Sequence, residues 1–214
     1  IIPASFIVSH GLFAMQKTRH QIRQNVRLLR RQLSSHQQQD FSQQLQRKLS
    51  QHPKLVKAKH VALYLANDGE LCPQPFINWC WQQGIKTYLP VLDPINEGHL
   101  LFLHYHANSP MQTNKFGIAE PCIQANSAIK TEQLDVIFTP LVAFDHLGNR
   151  LGMGGGFYDR TLAPLRHLPQ KPYTIGLAHD LQCLPKLPIE AWDIPLPEVI
   201  TPTKIWSWGS AFPA

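Results

Sequence analysis

Residues 144–160 read FDHLGNRLGMGGGFYDR and hold five of the twelve glycines of the chain. Glycine adopts positive φ without a steric penalty, so several backbone N–H groups can turn toward one anion, as they do in phosphate-binding loops. Arg150 and Arg160 add positive charge on both sides of the glycines. The pattern alone fits a flexible turn about as well as a phosphate site, because it matches neither the P-loop nor the G-x-G-x-x-G spacing. The flanking arginines favour the anion.

The surroundings of this loop predict a strand-to-helix junction. An apolar run at 134–142 reads as a buried strand, and 157–165 can begin a helix. Further strands are predicted at 61–66, 85–92, 100–105, 173–178 and 199–201, with a helix at 73–83. Strands that alternate with helices are typical of a mostly parallel sheet covered on both faces. We therefore expect an α/β fold, a single three-layer αβα domain, with ligands beyond the carboxyl ends of the strands.

The amino-terminal part predicts two helices. In residues 16–33, apolar side chains recur at helical spacing beside a stripe of arginines. Ser35 and Gln38 fit a capping box that would start a second helix, which ends near Pro53. In the first helix, Arg27, Arg30 and Arg31 are expected to form a solvated face, as exposed arginines usually do.

Composition excludes several classes of protein. The chain has 214 residues, of which 43% are hydrophobic and 16% charged, so it can bury a core. Its apolar runs are too short to span a bilayer. The four cysteines have no metal or disulfide-scaffold spacing, which favours free thiols in a reducing cytoplasm. The histidines show no metal-binding spacing, and no nucleophilic triad is visible.

We expect residues 1–14 to be a disordered or non-native leader and 15–214 to be one domain.

Positive charge is concentrated near the amino terminus. Residues 16–60 hold eleven Lys or Arg against one acidic residue, a balance of +10, whereas the remainder has a balance of −4. Such a basic region can serve nucleic acid or a small polyanion, and composition does not choose between them.

The segment RLGMGGGFYDR at 150–160 resembles the signature of the 5-formyltetrahydrofolate cyclo-ligase family, also called methenyltetrahydrofolate synthetases. Similar pieces follow the family order at 19–34, 65–70, 139–145 and 187–201. The resemblance implies an ATP- and Mg²⁺-dependent enzyme that converts 5-formyltetrahydrofolate to 5,10-methenyltetrahydrofolate and releases ADP and phosphate. Phosphorylation of the formyl oxygen would activate the carbon for attack by the folate N10.

The resemblance also implies roles for individual residues. Arg150 and Tyr158 are the candidate catalytic residues, although Tyr158 fits a packing role equally well. The candidate ATP-binding residues are Arg19, Arg23, Arg150, Leu151, Gly152, Met153, Gly154, Gly155, Gly156, Phe157 and Tyr158. The candidate folate-binding residues are Leu65, Glu70, Met153, Gly154, Gly155, Gly156 and Phe157.

Mg²⁺ is the implied cofactor, with Asp159 and Asp193 as its candidate ligands, since Mg²⁺ is often held by one or two carboxylates and substrate phosphates. A purely structural role is an alternative for each of the three acidic candidates, Asp159, Asp193 and Glu70. Asp159 can pair with Arg160 or cap a helix, and Asp193 can be a turn residue. Glu70 can cap the helix at Pro73, whereas a folate-binding Glu70 would accept hydrogen bonds from the pterin ring.

We expect a cytoplasmic monomer that acts on ATP and a reduced folate, with or without a polyglutamate tail, and that has no membrane or nucleic-acid partner. Two alternatives remain open at this point. One is a nucleotide and folate binder without turnover, and the other is a basic nucleic-acid-binding module, although no nucleic-acid motif accompanies the basic stripe.

Overall fold

The computed structural model describes residues 17–123 and 128–209. The expected leader at 1–14 lies outside the described residues. The helices are α1 (Arg19–Arg31), α2 (Ser35–Ser50), α3 (Pro53–Val56), α4 (Gln74–Gln82) and α5 (Phe157–Leu162). The strands are β1 (His60–Ala62), β2 (Lys86–Leu92), β3 (Leu100–Tyr105), β4 (Met111–Thr113), β5 (Ala119–Pro121), β6 (Ala128–Ile129), β7 (Val136–Pro140), β8 (Ala143–Asp145), β9 (Arg150–Leu151), β10 (Tyr173–Leu177), β11 (Cys183–Leu184), β12 (Glu198–Ile200) and β13 (Ile205–Ser207).

The central sheet has eight strands in the order β13-β12-β10-β7-β1-β2-β3-β6. The five strands from β12 to β2 are parallel, and antiparallel strands extend the sheet at both edges. The prediction of a mostly parallel α/β sheet is therefore confirmed. The carboxyl ends of β1, β7, β10 and β12 lie at one edge of the sheet, where the chain leaves toward Glu70, Val142, His179 and Thr201.

Both faces of this sheet are covered, which explains why its strands read as continuous apolar runs. In β7, Val136 and Phe138 pack on one face in a cluster with residues of α2 and α4. Ile137 points to the other face, where it packs with Leu162 of α5 and with Leu165. Ala163–His167 continue α5 as a short 3-10 helix. The helices on opposite faces give the predicted three layers.

The strand before the glycine loop differs from the prediction. The predicted strand at 134–142 ends at Pro140, and the chain then forms β8 and β9, which pair antiparallel in a second sheet with β11. The glycine loop therefore joins β9 to α5. Asp145 causes this hairpin, because its carboxylate accepts hydrogen bonds from the backbone N–H groups of Leu147 and Asn149. Asx turns of this kind are a local signal that the apolar pattern conceals.

The start of α2 was predicted one residue too late. The capping box joins Ser34 and Gln37, not Ser35 and Gln38, and a second capping box joins Thr18 and Gln21 at the start of α1. Consecutive serines offer two capping choices that differ by one residue, and the sequence does not separate them.

Helix α1 lies beside the second sheet, near the carboxyl ends of the central strands. Its buried residues Ile22 and Val26 pack against Val142, Ala143 and Leu151. This packing directs the arginine stripe of α1 toward the loops at that edge of the sheet. In the part of the chain that the structure describes, no helix is long and apolar enough to cross a membrane.

Candidate active site

Two arginines and two aspartates from three distant segments form one charged cluster. The Arg150 Nη2 atom lies 2.5 Å from Asp159 Oδ1, and the Arg150 side chain is almost fully buried. Arg19 forms a bidentate ion pair with Asp193. Its Nη1 donates to Oδ2, and its Nη2 donates to Oδ1 over 2.9 Å. The backbone N–H of Ile194 donates to Asp159 Oδ1 over 3.2 Å and so brings the Asp159 carboxylate to the backbone next to Asp193. The fold therefore brings Arg19, Arg150, Asp159 and Asp193 into one charged cluster.

Burial and neighbouring charges shift the pKa values of the residues in this cluster. Burial lowers the pKa of Arg150, against the opposing effect of Asp159. Burial would raise the pKa of Asp193, but the hydrogen bonds and charge of Arg19 outweigh it, so the pKa is lowered. Arg150 Nη1 is buried without a hydrogen-bond partner among the described residues. A buried donor of this kind is costly unless a ligand uses it.

Arg23 lies directly against the glycine loop. Its Nε atom donates to the Gly152 carbonyl over 2.8 Å. Burial and the like charge of Arg19 lower its pKa. The Arg23 guanidinium also lies 3.4 Å from the point where a Cβ on Gly154 would sit. A guanidinium group against a glycine loop, with a second one nearby, is suited to a polyanion.

The loop itself depends on its glycines. Gly154 and Gly156 have φ values of 104° and 66°, which residues with a side chain rarely adopt. A Cβ on Gly155 would come within 2.6 Å of the Phe157 ring. Gly152 differs from these, because its φ is not positive and a Cβ there would meet no other atom within 4 Å. Its glycine is therefore not required by the fold.

Other predicted loop residues occupy distinct positions. Leu151 is fully buried against α1, so only its backbone can face a ligand. Met153 is half exposed, and Phe157 packs edge-on against Phe116 with 5.8 Å between ring centroids. Arg160 does not pair with Asp159 but donates to the carbonyls of Gly98 and Gly155.

The charge of Glu70 acts on Tyr158 although the two residues lie 88 positions apart in the sequence. Burial raises the pKa of Glu70 to about 7, although the nearby Arg30 lowers it in part. Burial and then the charge of Glu70 raise the pKa of the Tyr158 hydroxyl. That hydroxyl is buried with no hydrogen-bond partner among the described residues. The charges of both Glu70 and Arg150 therefore act on the Tyr158 hydroxyl, which places the three groups in one neighbourhood.

Glu70 does not cap the helix α4, which was the structural alternative for this residue. Its Oε2 atom accepts a hydrogen bond from the backbone N–H of Asn67 over 3.1 Å, and no side chain caps α4. Leu65 is half buried and packs on the core cluster shared with α2 and α4. For Asp193, the turn interpretation holds in part, since it accepts from the backbone N–H of Glu190 over 2.8 Å.

The expected solvated face of α1 is wrong for Arg30, which is completely buried. Arg27, Arg30 and Arg31 all contact Asp68, in the loop that precedes Glu70. Helical spacing predicted the stripe formed by Arg19, Arg23, Arg27 and Arg30, but it could not reveal the partner of that stripe. Because these contacts turn much of the stripe inward, they weaken the basis of the nucleic-acid alternative.

A magnesium ion fits the donor set of the charged cluster. Asp159 and Asp193 supply hard carboxylate oxygens at one place, the set that Mg²⁺ prefers when phosphates complete its shell. No group of three or more His, Cys, Asp or Glu side chains that could hold a metal exists among the described residues. Two carboxylates could therefore hold such an ion only if substrate phosphates completed its shell.

Comparisons with known proteins agree on one family. The model of the 5-formyltetrahydrofolate cyclo-ligase family matches residues 15–202. The 5-formyltetrahydrofolate cyclo-ligase of Escherichia coli K12 is 49% identical over 183 residues, which cover 86% of this chain and 100% of the relative. The Haemophilus influenzae enzyme of the same name is 42% identical, over 85% of this chain and 96% of the relative.

Solved structures agree with these sequences. The NMR structure of Aquifex aeolicus 5,10-methenyltetrahydrofolate synthetase matches with a TM-score of 0.74 at 29% identity and covers 88% of this chain and 92% of its own. A 5,10-methenyltetrahydrofolate synthetase from Mycoplasma pneumoniae matches with a TM-score of 0.69, over 87% of this chain and 99% of its own. At 21% identity, that second likeness supports the fold alone.

Proposed function

The chain belongs to the 5-formyltetrahydrofolate cyclo-ligase family, and from this premise we propose that it converts 5-formyltetrahydrofolate and ATP to 5,10-methenyltetrahydrofolate, ADP and phosphate. The observation that carries the assignment of the site is the convergence of the glycine loop, the Arg19–Asp193 and Arg150–Asp159 pairs, and Glu70 with Tyr158 at one edge of the sheet.

The chemistry explains why such a site needs two ligands and many positive charges. The oxygen of a formamide is a poor leaving group. Transfer of the γ-phosphoryl group of ATP to that oxygen makes it a good one, after which N10 attacks the formyl carbon, loses its proton and expels phosphate. The protein contributes alignment of the two substrates and neutralisation of phosphate charge.

The ATP phosphates are proposed to lie between α1 and the glycine loop. There, Arg23 and the unpartnered Nη1 of Arg150 can donate to phosphate oxygens, and the backbone N–H groups of the loop can do the same. Arg19 would reach the same phosphates by exchanging part of its contact with Asp193. Phosphate would also relieve the repulsion between Arg19 and Arg23 that helps to lower the pKa of Arg23.

Asp159 and Asp193 would hold Mg²⁺, which supplies neutralisation of phosphate charge when it is bound. In this structure both carboxylates are paired with arginine. We propose that arginine and carboxylate separate in the complex, so that the guanidinium groups turn to phosphate and the carboxylates become available.

The reduced folate is proposed to bind between Glu70 and Phe157, with Leu65 nearby. The Glu70 carboxylate would accept hydrogen bonds from N–H groups of the pterin. Tyr158, whose hydroxyl is buried and keeps its proton, would donate to the formyl oxygen or to the phosphate that replaces it. The protein is proposed to act as a cytoplasmic monomer on these small molecules; the four free cysteines are compatible with that compartment.

A turnover assay tests this function directly. The purified protein, mixed with ATP, Mg²⁺ and 5-formyltetrahydrofolate, is expected to form a product with the near-ultraviolet absorbance of the methenyl compound. Arg150→Ala and Asp159→Asn are each expected to reduce turnover by a factor of about 100 or more, as loss of a transition-state charge partner does. Glu132→Gln, at an exposed site, is the matched control and should not change it.

Calorimetry separates the outcomes. Binding of both ligands without turnover would identify a binder that lacks catalysis. Full turnover in both variants would overturn the site assignment. Salt-dependent binding to nucleic acid without any effect of ATP would support the nucleic-acid alternative instead.

A further inference from the structure

Three arginines of α1 converge on one carboxylate, and we call Asp68 with Arg27, Arg30 and Arg31 the Asp68 clamp. Arg27 Nε lies 2.5 Å from Asp68 Oδ2, and Arg30 Nη2 lies 3.1 Å from the same oxygen. Arg31 donates to the other carboxylate oxygen, Oδ1. Arg30 Nη2 also donates to the Asp68 carbonyl over 3.0 Å. Both the side chain and the backbone of Asp68 are therefore fixed to the helix.

The backbone of this loop can adopt only a narrow range of positions. Asp68 and Gly69 have φ values of 52° and 73°, and Asp68 is the only non-glycine with positive φ among the described residues. A Cβ on Gly69 would lie 3.1 Å from the Arg30 backbone. The Gly69 carbonyl accepts from Gln38 Nε2 and lies 3.2 Å from His179 Nε2. The strained turn thus persists because neighbouring elements hold it.

Glu70 follows this turn directly and shares a partner with it. Arg30 Nη1 lies 3.9 Å from Glu70 Oε1, while the other arm of the same guanidinium holds Asp68. Burial would raise the pKa of Asp68, but the hydrogen bonds of Arg27 and Arg31 outweigh it, so the pKa is lowered and the carboxylate stays charged. Charge in the clamp is therefore retained at neutral pH.

The helix that holds Asp68 is the one that carries the nucleotide arginines. Arg19 and Arg23 lie two turns and one turn before Arg27 on the same stripe, and they contact Asp193 and Gly152. One short helix therefore touches the proposed phosphate loop at its first turns and the proposed folate loop at its last turn.

We propose that Asp68 is a positioning residue for the folate subsite: the Asp68 clamp fixes the loop 67–70 to α1 so that Glu70 faces the pterin while the same helix holds the phosphates of ATP. This inference rests on the proposed function and extends it, because it assigns the geometry of the folate subsite to residues that contact neither substrate.

The test separates the two substrates kinetically. Asp68→Asn keeps the size of the side chain and its tolerance of positive φ but removes the charge. It is expected to raise the KM for 5-formyltetrahydrofolate about tenfold, with a change in the KM for ATP of less than about twofold. Asp40→Asn is the matched control, because Asp40 is exposed and its carboxylate accepts a hydrogen bond from Gln44 of its own helix; it should change neither KM.

A second pair of variants keeps the proposal testable if Asp68→Asn does not fold. Arg31 is half exposed, so its replacement leaves the core intact. Arg31→Gln should show the same one-sided rise in the folate KM at smaller size, and Arg31→Lys should restore most of it. An unchanged folate KM in these variants, or equal rises in both KM values, would overturn the proposal.

The proposal about the Asp68 clamp can be tested even if the proposed function is wrong. If the wild-type protein makes no methenyl product, the proposed function fails. The clamp is then tested by calorimetric binding of 5-formyltetrahydrofolate alone, for which Asp68→Asn should weaken the affinity about tenfold. Equal affinities of variant and wild type would overturn it.

Discussion

Among single residues, Tyr158 has the clearest conflict between stability and function. Its hydroxyl is buried and has no protein partner among the described residues, which is costly for the folded state. The cost is explained if a ligand oxygen accepts a hydrogen bond from this hydroxyl in the complex. The sequence could not separate this role from packing, because the motif gives the residue type but not the surroundings of the hydroxyl.

Tyr158→Phe is therefore expected to change activity and stability in opposite directions. The fold should keep its melting temperature or gain slightly, since an unsatisfied polar group is removed. The kcat should fall by a factor of about 10 or more, as for the loss of one hydrogen bond to a reacting oxygen. Thermal unfolding and steady-state kinetics check the two effects. A variant with lower stability and normal kcat would show that the hydroxyl serves the fold.

Glu70 is expected to give folate binding a pH dependence. Burial raises its pKa to about 7, and only the ionised carboxylate accepts hydrogen bonds with both oxygens. As the pH falls from 8 to 6, the carboxylate gains a proton and the affinity for 5-formyltetrahydrofolate should fall. Calorimetry across this range measures the effect. Glu70→Gln should bind weakly with little pH dependence, and a variant that keeps the wild-type profile would contradict the assignment.

Among the structural elements, the glycine loop contains glycines of two kinds. Some are required by the backbone conformation, whereas another leaves space for a ligand. Gly154 and Gly156 have positive φ and are required by the backbone, whereas Gly152 is not. The sequence shows only four glycines of equal standing. Their different roles depend on φ and on the positions of Arg23, Phe157 and Arg160, which the tertiary structure decides.

Gly152→Ala is expected to leave the fold intact and to raise the KM for ATP, because the added methyl group would occupy space beside the phosphates. A rise of about tenfold or more is expected, while the free energy of unfolding should change by less than about 1 kcal/mol. Gly84→Ala is the matched control: its φ of 71° makes alanine costly, by about 1 kcal/mol, but it lies after α4, away from the loop. It should lower stability without changing either KM. Normal ATP kinetics in Gly152→Ala would place the phosphates elsewhere.

The hydrophobic periodicity predicted most elements, and its failures are local. Strands β2, β3, β7 and β10 and helices α1, α2 and α4 lie close to their predicted positions. No strand was predicted between 108 and 131, where the structure has the short strands β4, β5 and β6, and the strand β13 was not predicted either. Two- and three-residue strands depend on a neighbour in space for their hydrogen bonds, and their sequences carry too few residues to show a period.

The stability of the whole molecule is expected to depend on pH through His179 and Glu70, two buried groups at the loop 67–70. Their effects on the free energy of unfolding have opposite signs. Burial lowers the pKa of His179 to about 4, whereas burial raises that of Glu70 to about 7. The folded state therefore resists protonation of His179 and favours protonation of Glu70. Each shift is worth about 3 kcal/mol at most between its folded and unfolded pKa values.

Single variants should separate the two contributions between pH 7 and 5. In Glu70→Gln, His179 remains, and the free energy of unfolding should fall as the pH falls, because the unfolded chain binds the proton. In His179→Gln, Glu70 remains, and the same free energy should rise as the pH falls, because the folded chain binds the proton. Urea unfolding at pH 5, 6 and 7 measures both slopes. Parallel slopes in the two variants would contradict the assigned protonation states.

The amino-acid sequence was enough to predict the α/β class, the mostly parallel sheet and the family, because apolar periodicity and a glycine motif are local properties of the chain. Through the family resemblance it also indicated the charged residues at 19, 150, 159 and 193, which the fold brings into one cluster. The burial of Arg30 and the convergence of three arginines of α1 on Asp68 became visible only in three dimensions. A charged residue has the same sequence signal whether water or a distant carboxylate compensates it, and packing alone chooses between the two.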